Sequence, residues 1–311
     1  MNYNFSEKTF PSSDGIHTIY AEIYTPKTAS ARGVIQLAHG MIDYVGRYKD
    51  MADYLAKEGY ILAGNHHLGH GKSVKNEDEF GYFAKCGGVD YVIEDMHRMN
   101  KQLREMFPTL PIIIFGHSMG SFLARTYLIR YPGKISGCVL CGTGHMNALI
   151  VAGGKWIADG EIKKLGKTAY SEKADQLAFG AYNKRFAPNR THFDWISLHE
   201  ANVDAYIKDP LCGGKTTLGL FRDMMEGLGF ICDQANIAKM DQNMPVFFIA
   251  GDQDPVGDMG QGVERAYAAF KKAGIRDVSL KLYHGLRHEI LNEKTNQYVF
   301  LDVLHWLDTH C

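Results

Sequence analysis

The chain has 311 residues, of which 45% are hydrophobic and 22% charged, and its net charge is -1. That length allows a large core, in one α/β domain carrying an insertion or in two small domains, and the near-neutral balance excludes the electrostatic footprint of a nucleic-acid partner. No apolar run approaches bilayer length, and Met1-Asn2-Tyr3-Asn4-Phe5-Ser6-Glu7-Lys8 lacks a basic region followed by an apolar stretch, so no export signal is read and a cytoplasmic location is expected.

Two strand-like runs between Thr9 and Pro26 flank Ser12-Ser13-Asp14-Gly15 and predict an antiparallel hairpin, with His17 to Tyr24 alternating like a half-exposed strand. Gly33 to Ala38 reads as the next strand. A helix is expected from about Tyr48 to Glu58, stopped by Gly59, and Tyr60 to Gly64 follows as a strand. Asp90 to Met106 has helical periodicity and ends before Pro108. Ile112 to Phe115 is a buried-type strand, Phe122 to Leu128 a helix, and Ile135 to Leu140 a strand. Strand–helix alternation of this kind implies an α/β fold with a mostly parallel, doubly wound sheet. From Gly144 to about Ala235 no strand is convincing. The alternation resumes with strands at Pro245–Ala250 and Val278–Tyr283 and helices near Gly262–Ala273 and Thr295–Thr309. The reading is a core over 1–144 and 236–311 with a helical cap inserted at 145–235, above the sheet edge where such folds bind ligands.

The densest chemical signal is Gly116-His117-Ser118-Met119-Gly120, placed directly between the Ile112–Phe115 strand and a helix. That is the context of a nucleophile elbow, in which a sharp turn lifts the serine hydroxyl above the sheet and flanking glycines avoid a Cβ clash. A serine needs a base, and the base needs an orienting acid. Both candidates follow in the required order. Gly251-Asp252-Gln253-Asp254-Pro255 lies after the penultimate strand, and Asp254, in the turn beyond the strand end, is preferred to Asp252. Tyr283-His284-Gly285-Leu286-Arg287-His288-Glu289 lies after the last strand. His284 abuts that strand, so His288, expected to open the following helix and reach back to Ser118, is preferred. An oxyanion hole needs two backbone N–H groups. Met119, after the nucleophile, and Met41, in His39-Gly40-Met41 after the Gly33–Ala38 strand, are assigned.

Other features carry less. The six cysteines read as buried, reduced thiols, and Cys138 and Cys141 fall within one strand. His66-His67-Leu68-Gly69-His70 has no accompanying carboxylates and reads as a structural turn in preference to a zinc site. In the insertion, Leu218, Phe221, Met225 and Leu228 recur at helical spacing, beside Met224. They suit either an ordinary packed helix or a pliable wall of an acyl pocket.

With these residues assembled, the chain resembles the monoacylglycerol lipase and lysophospholipase branch of the α/β-hydrolase superfamily, whose members also carry the serine aminopeptidase label. The resemblance runs nearly end to end. It rests on Ala38-His39-Gly40-Met41 with Gly46-Arg47-Tyr48, on His67-Leu68-Gly69-His70-Gly71-Lys72-Ser73, on Gly116-His117-Ser118-Met119-Gly120, on Phe179 to Phe186 and Asp209 to Gly213, and on His288-Glu289-Ile290-Leu291-Asn292-Glu293. It implies a Ser118, Asp254 and His288 triad, Met41 and Met119 as oxyanion donors, a movable cap and long-chain esters. The chain departs from the branch at Asn65-His66-His67, where relatives usually have Asp, and at Ile42-Asp43-Tyr44, where they often have Glu-His. The expected activity is ester hydrolysis through an acyl-enzyme, on a monoacylglycerol or lysophospholipid. No cofactor, metal or nucleic acid takes part, and the cap makes transient contact with a lipid surface. A peptidase or amidase, an acyltransferase or lyase on the same fold, and a non-catalytic binding relative are the competing readings.

Overall fold

A computed structural model describes residues 1–311. The N-terminal hairpin pairs β1 (Tyr3–Pro11) with β2 (Thr18–Pro26), and β3 (Gly33–Ala38), α1 (Lys49–Lys57) and β4 (Tyr60–Asn65) follow. Next come α2 (Gly88–Met106), β5 (Ile112–His117), α3 (Met119–Arg130) and β6 (Gly137–Cys141). Between β6 and the next strand lie α4 (Ala148–Leu165), α5 (Glu172–Phe179), α6 (Glu200–Lys208), α7 (Leu218–Cys232) and α8 (Gln234–Ile237). The chain closes with β7 (Val246–Gly251), α9 (Gln261–Lys272), β8 (Val278–Tyr283) and α10 (Asn296–His310).

The eight strands form one sheet in the order β1-β2-β4-β3-β5-β6-β7-β8. β1/β2 and β2/β4 pair antiparallel and every other pair is parallel. The uninterrupted apolar strands explain why both faces are covered. In β5, Ile112 and Ile114 enter the core built with α2, α3 and α9, whereas Ile113 and Phe115 enter the core built with α1 and α10. A strand with two dry faces reads as a continuous hydrophobic run because neither parity is left for water. The expected doubly wound sheet is therefore the observed one.

The hairpin is longer than expected. Strand β1 begins at Tyr3, and Asn4 to Thr9 are all exposed. An edge strand solvated on both faces has no burial pattern to read, which is why its first half was missed. His288 does not open a helix. It lies at a bend ahead of a single 3-10 turn, Ile290–Asn292, and α10 starts only at Asn296.

Leu218, Phe221 and Leu228 of α7 are buried, and that helix packs on α3 and α4. One side chain on α3 reaches both ends of the helical stretch α4–α7. Arg125, fully buried on α3, donates to the carbonyl oxygen of Gly144 at 2.6 Å and to that of Ile231 at 2.9 Å. Ile231 lies in the last turn of α7, where unsatisfied carbonyls favour a cation. All six cysteines are free, and no helix is long and apolar enough to cross a membrane.

Candidate active site

Ser118 sits at φ 54°, ψ −123°, between the end of β5 and the first residue of α3. Its N–H is tied to the Cys141 carbonyl at 2.9 Å, and its own carbonyl accepts from Ser121 N–H at 2.8 Å and Ser121 Oγ at 2.6 Å. The backbone is thus held from both sides in a conformation that L-residues avoid. The glycines are required by close approach. A β-carbon at Gly120 would stand 1.9 Å from the Ala38 oxygen, and one at Gly116 would stand 2.5 Å from the Gly120 oxygen.

The acid and base candidates separate cleanly. Asp254 is fully buried, and its Oδ2 accepts from His288 Nδ1 at 2.8 Å while its Oδ1 accepts from Val256 N–H at 2.9 Å. Asp252 instead pairs with His284 at 2.8 Å and takes the Gly285 N–H at 2.8 Å, and the His284 side chain is 98% exposed. Burial pushes the His288 imidazole down, but the charge and hydrogen bond of Asp254, with the charges of Glu289 and Asp43, outweigh it and hold its pKa above the ordinary histidine value. His288 Nε2 has no partner within the chain and is not sealed from open space. Ser118 Oγ makes no hydrogen bond to it in the free chain, and such bonds commonly tighten only when substrate is present. The two loops converge at Gly142 (φ 60°), immediately after the Cys141 that anchors Ser118. A β-carbon there would lie 3.1 Å from His288 Cε1 and 3.4 Å from Asp254 Oδ2.

The loop after β3 runs beside the serine, where a β-carbon at Gly40 would lie 3.5 Å from Ser118 Cβ. Met41 N–H has no acceptor within the chain, and Met119 N–H belongs to the first turn of α3, which lacks intrahelical acceptors. His39 shapes this loop. Its Nδ1 donates to the Gly40 oxygen at 2.8 Å and its Nε2 accepts the His67 N–H at 2.9 Å. Ile42 follows at φ 46°, an unusual conformation for a β-branched residue, and is buried. The His66–His70 turn therefore does act structurally on the site, through a buried cluster that includes His39. The His39 and His67 ring centroids are 4.1 Å apart, and both His67 ring nitrogens and His70 Nε2 lack partners.

A polar network around the site was not foreseen. Tyr48 Oη donates to Asp43 Oδ2 and, having one proton, accepts from His117 Nδ1, each at 2.8 Å. Asp43 also accepts from Tyr44 N–H at 2.8 Å. Arg47 grips Glu289 through both guanidinium nitrogens, and Asn202 of α6 donates to the same carboxylate at 2.7 Å. The only sequence signal was that Asp43, Arg47, Tyr48, His117 and Glu289 fall inside segments quoted for other reasons; Asn202 had none. A cavity of about 800 Å³ lies between the start of α4, the end of α7 and the Asp254 loop, with Met146, Val151 and Val256 on its wall beside Asp233, Asp258 and Arg265.

The profile of the serine aminopeptidase, S33, family matches residues 29–295. Monoacylglycerol lipase of Mycolicibacterium smegmatis is 31% identical over 309 residues, covering 98% of each chain. Human monoglyceride lipase is 24% identical, covering 91% of this chain and 85% of its own. Among solved structures, a thermostable carboxyl esterase from Bacillus coagulans in complex with glycerol superposes with a TM-score of 0.91 at 29% identity, covering 98% of each chain.

Proposed function

We propose, from the premise that the chain belongs to the serine aminopeptidase (S33) family, that it cleaves monoacylglycerols or lysophospholipids by a Ser118–His288–Asp254 mechanism. Its place among the monoacylglycerol lipase-like α/β-hydrolases makes it a carboxylic ester hydrolase. The observation that carries the mechanism is the buried Asp254–His288 hydrogen bond beside an elbow serine whose N–H is anchored to Cys141.

In the proposed reaction His288 Nε2 takes the Ser118 proton as Oγ attacks the ester carbonyl. The resulting oxyanion lies against the Met41 and Met119 N–H groups. Asp254 fixes the histidine tautomer and stabilises the imidazolium. The intermediate collapses as His288 gives its proton to the leaving alkoxide, and the acyl-enzyme remains. Water, activated by the same nitrogen, then releases the fatty acid. Segment 145–235 serves as the cap, and the cavity beside the Asp254 loop, of the usual ligand-site size and walled by both apolar and charged side chains, is the nearest room for part of the substrate. On α4, Leu149, Ile150 and Trp156 are exposed, and this face is where a lipid surface meets the cap.

An aminopeptidase needs a free carboxylate for the substrate amine. Glu289 is engaged by Arg47 and Asn202, and Asp43 by Tyr48, which favours the ester reading. The test is hydrolysis of p-nitrophenyl esters from about two to about sixteen carbons, chosen to vary buried CH₂ at roughly 0.8 kcal/mol each. 1-Monoacylglycerol, lysophosphatidylcholine and an aminoacyl amide are assayed in parallel, with Ser118→Ala as control. A long-chain optimum that vanishes in the variant supports the reading. Preference for the amide, or activity kept by the variant, overturns it.

A further inference from the structure

His288 has aromatic neighbours on two sides of the fold. His117 of β5 approaches with ring centroids 5.0 Å apart, and Trp195, from the insertion, approaches at 5.2 Å with the rings inclined by 41°. Trp195 is not a loose contact. Its backbone N–H donates to Asn183 Oδ1 at 2.8 Å, and Tyr182 meets its ring edge-on at 5.0 Å.

The residues around Trp195 are strapped to the histidine loop. Glu289 N–H donates to the Ile196 oxygen at 2.6 Å, and Arg287 donates to the oxygens of Asp194 and Ser197. Leu198 N–H donates to Glu293 Oε1 at 2.8 Å. Two segments roughly a hundred residues apart in sequence are thereby held in one piece. The bonds lie on either side of Trp195 and on either side of His288, so the two rings are tied to each other through the segments that carry them.

We propose that Trp195 is a positioning residue for the reaction, its π-face favouring the protonated imidazole of His288 over the neutral one. The physical basis is the attraction between a cation and an aromatic ring within about 6 Å, strongest for tryptophan. The inference rests on His288 being the base. It assigns to the insertion a part in the chemistry itself: the stretch 194–198 belongs to the catalytic centre and stays with the core. The charged and titratable groups that face His288 are Asp254 from the acid loop, Glu289 with its partner Arg47, Asp43 from the loop after β3, and His117 from β5. All of these lie outside 145–235; from within that segment the titratable neighbour is Tyr182, which packs on Trp195 near Asp254.

The experiment compares Trp195→Leu and Trp195→Phe in pH profiles of kcat/KM and of kcat, on one soluble ester. Removing the ring weakens the base. In Trp195→Leu the acid limb is expected to move to lower pH by about half a unit and the plateau kcat to fall roughly twofold to fivefold. Trp195→Phe keeps most of both. An acid limb that stays in place in Trp195→Leu, or equal shifts in the two variants, overturns the proposal. Tryptophan emission gives a readout independent of turnover and needs no change at Trp195. The wild-type chain is expected to show a quenching transition that follows the acid limb and is absent in His288→Gln; identical titrations of the two overturn the proposal. If His288 is not the base, His288→Gln retains activity, which marks failure of the mechanism itself. If the mechanism holds and the Trp195 inference fails, His288→Gln is inactive while the acid limb of Trp195→Leu is unmoved.

Discussion

Arg47 holds Glu289 in a two-pronged ion pair, with nitrogen–oxygen distances of 2.6 and 2.8 Å, one residue beyond His288. Burial raises the Glu289 carboxyl, but the Arg47 charge outweighs it and brings the pKa down to about 2. The pair ties the segment leading into α1 to the histidine loop and, through Asn202, to α6.

Removing one partner leaves the other as an uncompensated buried charge. Glu289→Ala is expected to cost about 3–5 kcal/mol in urea unfolding, and Arg47→Met a similar amount, whereas the double variant costs much less than their sum. Because the folded pKa lies below the ordinary value, the contribution is present above about pH 4.5 and is lost as pH falls toward 2. Additive single and double costs would show that the pair does not act as a unit.

The two aspartates after β7 make a paired test. Asp254→Asn disturbs the tautomer of His288 and is expected to lower kcat by about 10⁴, the loss measured for the equivalent change in chymotrypsin-type enzymes. Asp252→Asn touches only the exposed His284 and its turn, so kcat is expected to stay within about twofold. Steady-state rates of the two variants decide between them.

Why one aspartate could be preferred from sequence while the network around Glu289 could not is a matter of separation. The elbow was legible because Ile112 to Phe115 fill both faces of the sheet and the motif's glycines are forced by close contacts, Gly116 against the elbow's own backbone and Gly120 against the end of the neighbouring strand β3. The order of Ser118, Asp254 and His288 follows from strand ends in an alternating chain. Arg47 and Glu289 stand 242 positions apart, and no local periodicity records their meeting. Trp195 lies on a short 3-10 turn between loops, a kind of segment with no apolar rhythm to read. The first half of β1 was lost for the opposite reason: it is regular, but nothing covers it.

Gly142 sets a steric limit on the catalytic pair. Gly142→Ala forces a side chain into φ 60° and places its β-carbon 3.1 Å from His288 Cε1. A cost of about 1–2 kcal/mol in stability is expected from the backbone, together with a loss of about 10²-fold in kcat as the imidazole is displaced. Urea unfolding measures the first and the burst-phase rate of acylation the second. A variant equally active at 25 °C would mean that the histidine does not rest against this turn.

Acid stability should be governed by buried imidazoles. Burial, reinforced by neighbouring histidines, keeps His39 and His67 well below the usual range, and burial brings His70 and His117 down to about 4. With folded pKa values depressed below the unfolded value of about 6.5, the unfolded chain binds the extra protons. Stability therefore falls as pH drops from about 6.5 toward 4, at up to about 1.4 kcal/mol per pH unit for each such histidine. Urea midpoints across that range measure the slope. His70→Gln should make it shallower, and an unchanged slope would exclude that residue.

Arg125 ties the helical stretch between β6 and β7 to α3 near both of its ends. The carbonyls of Gly144, ahead of α4, and of Ile231, in the last turn of α7, are both read by one guanidinium, and main-chain carbonyls are groups that every amino acid provides. The helical stretch between β6 and β7 is thus moored at two places: its ends to α3, the helix that begins at the nucleophile, and its 194–198 stretch to the histidine loop. The parts between those moorings can change while the eight-stranded sheet and its serine stay as they are.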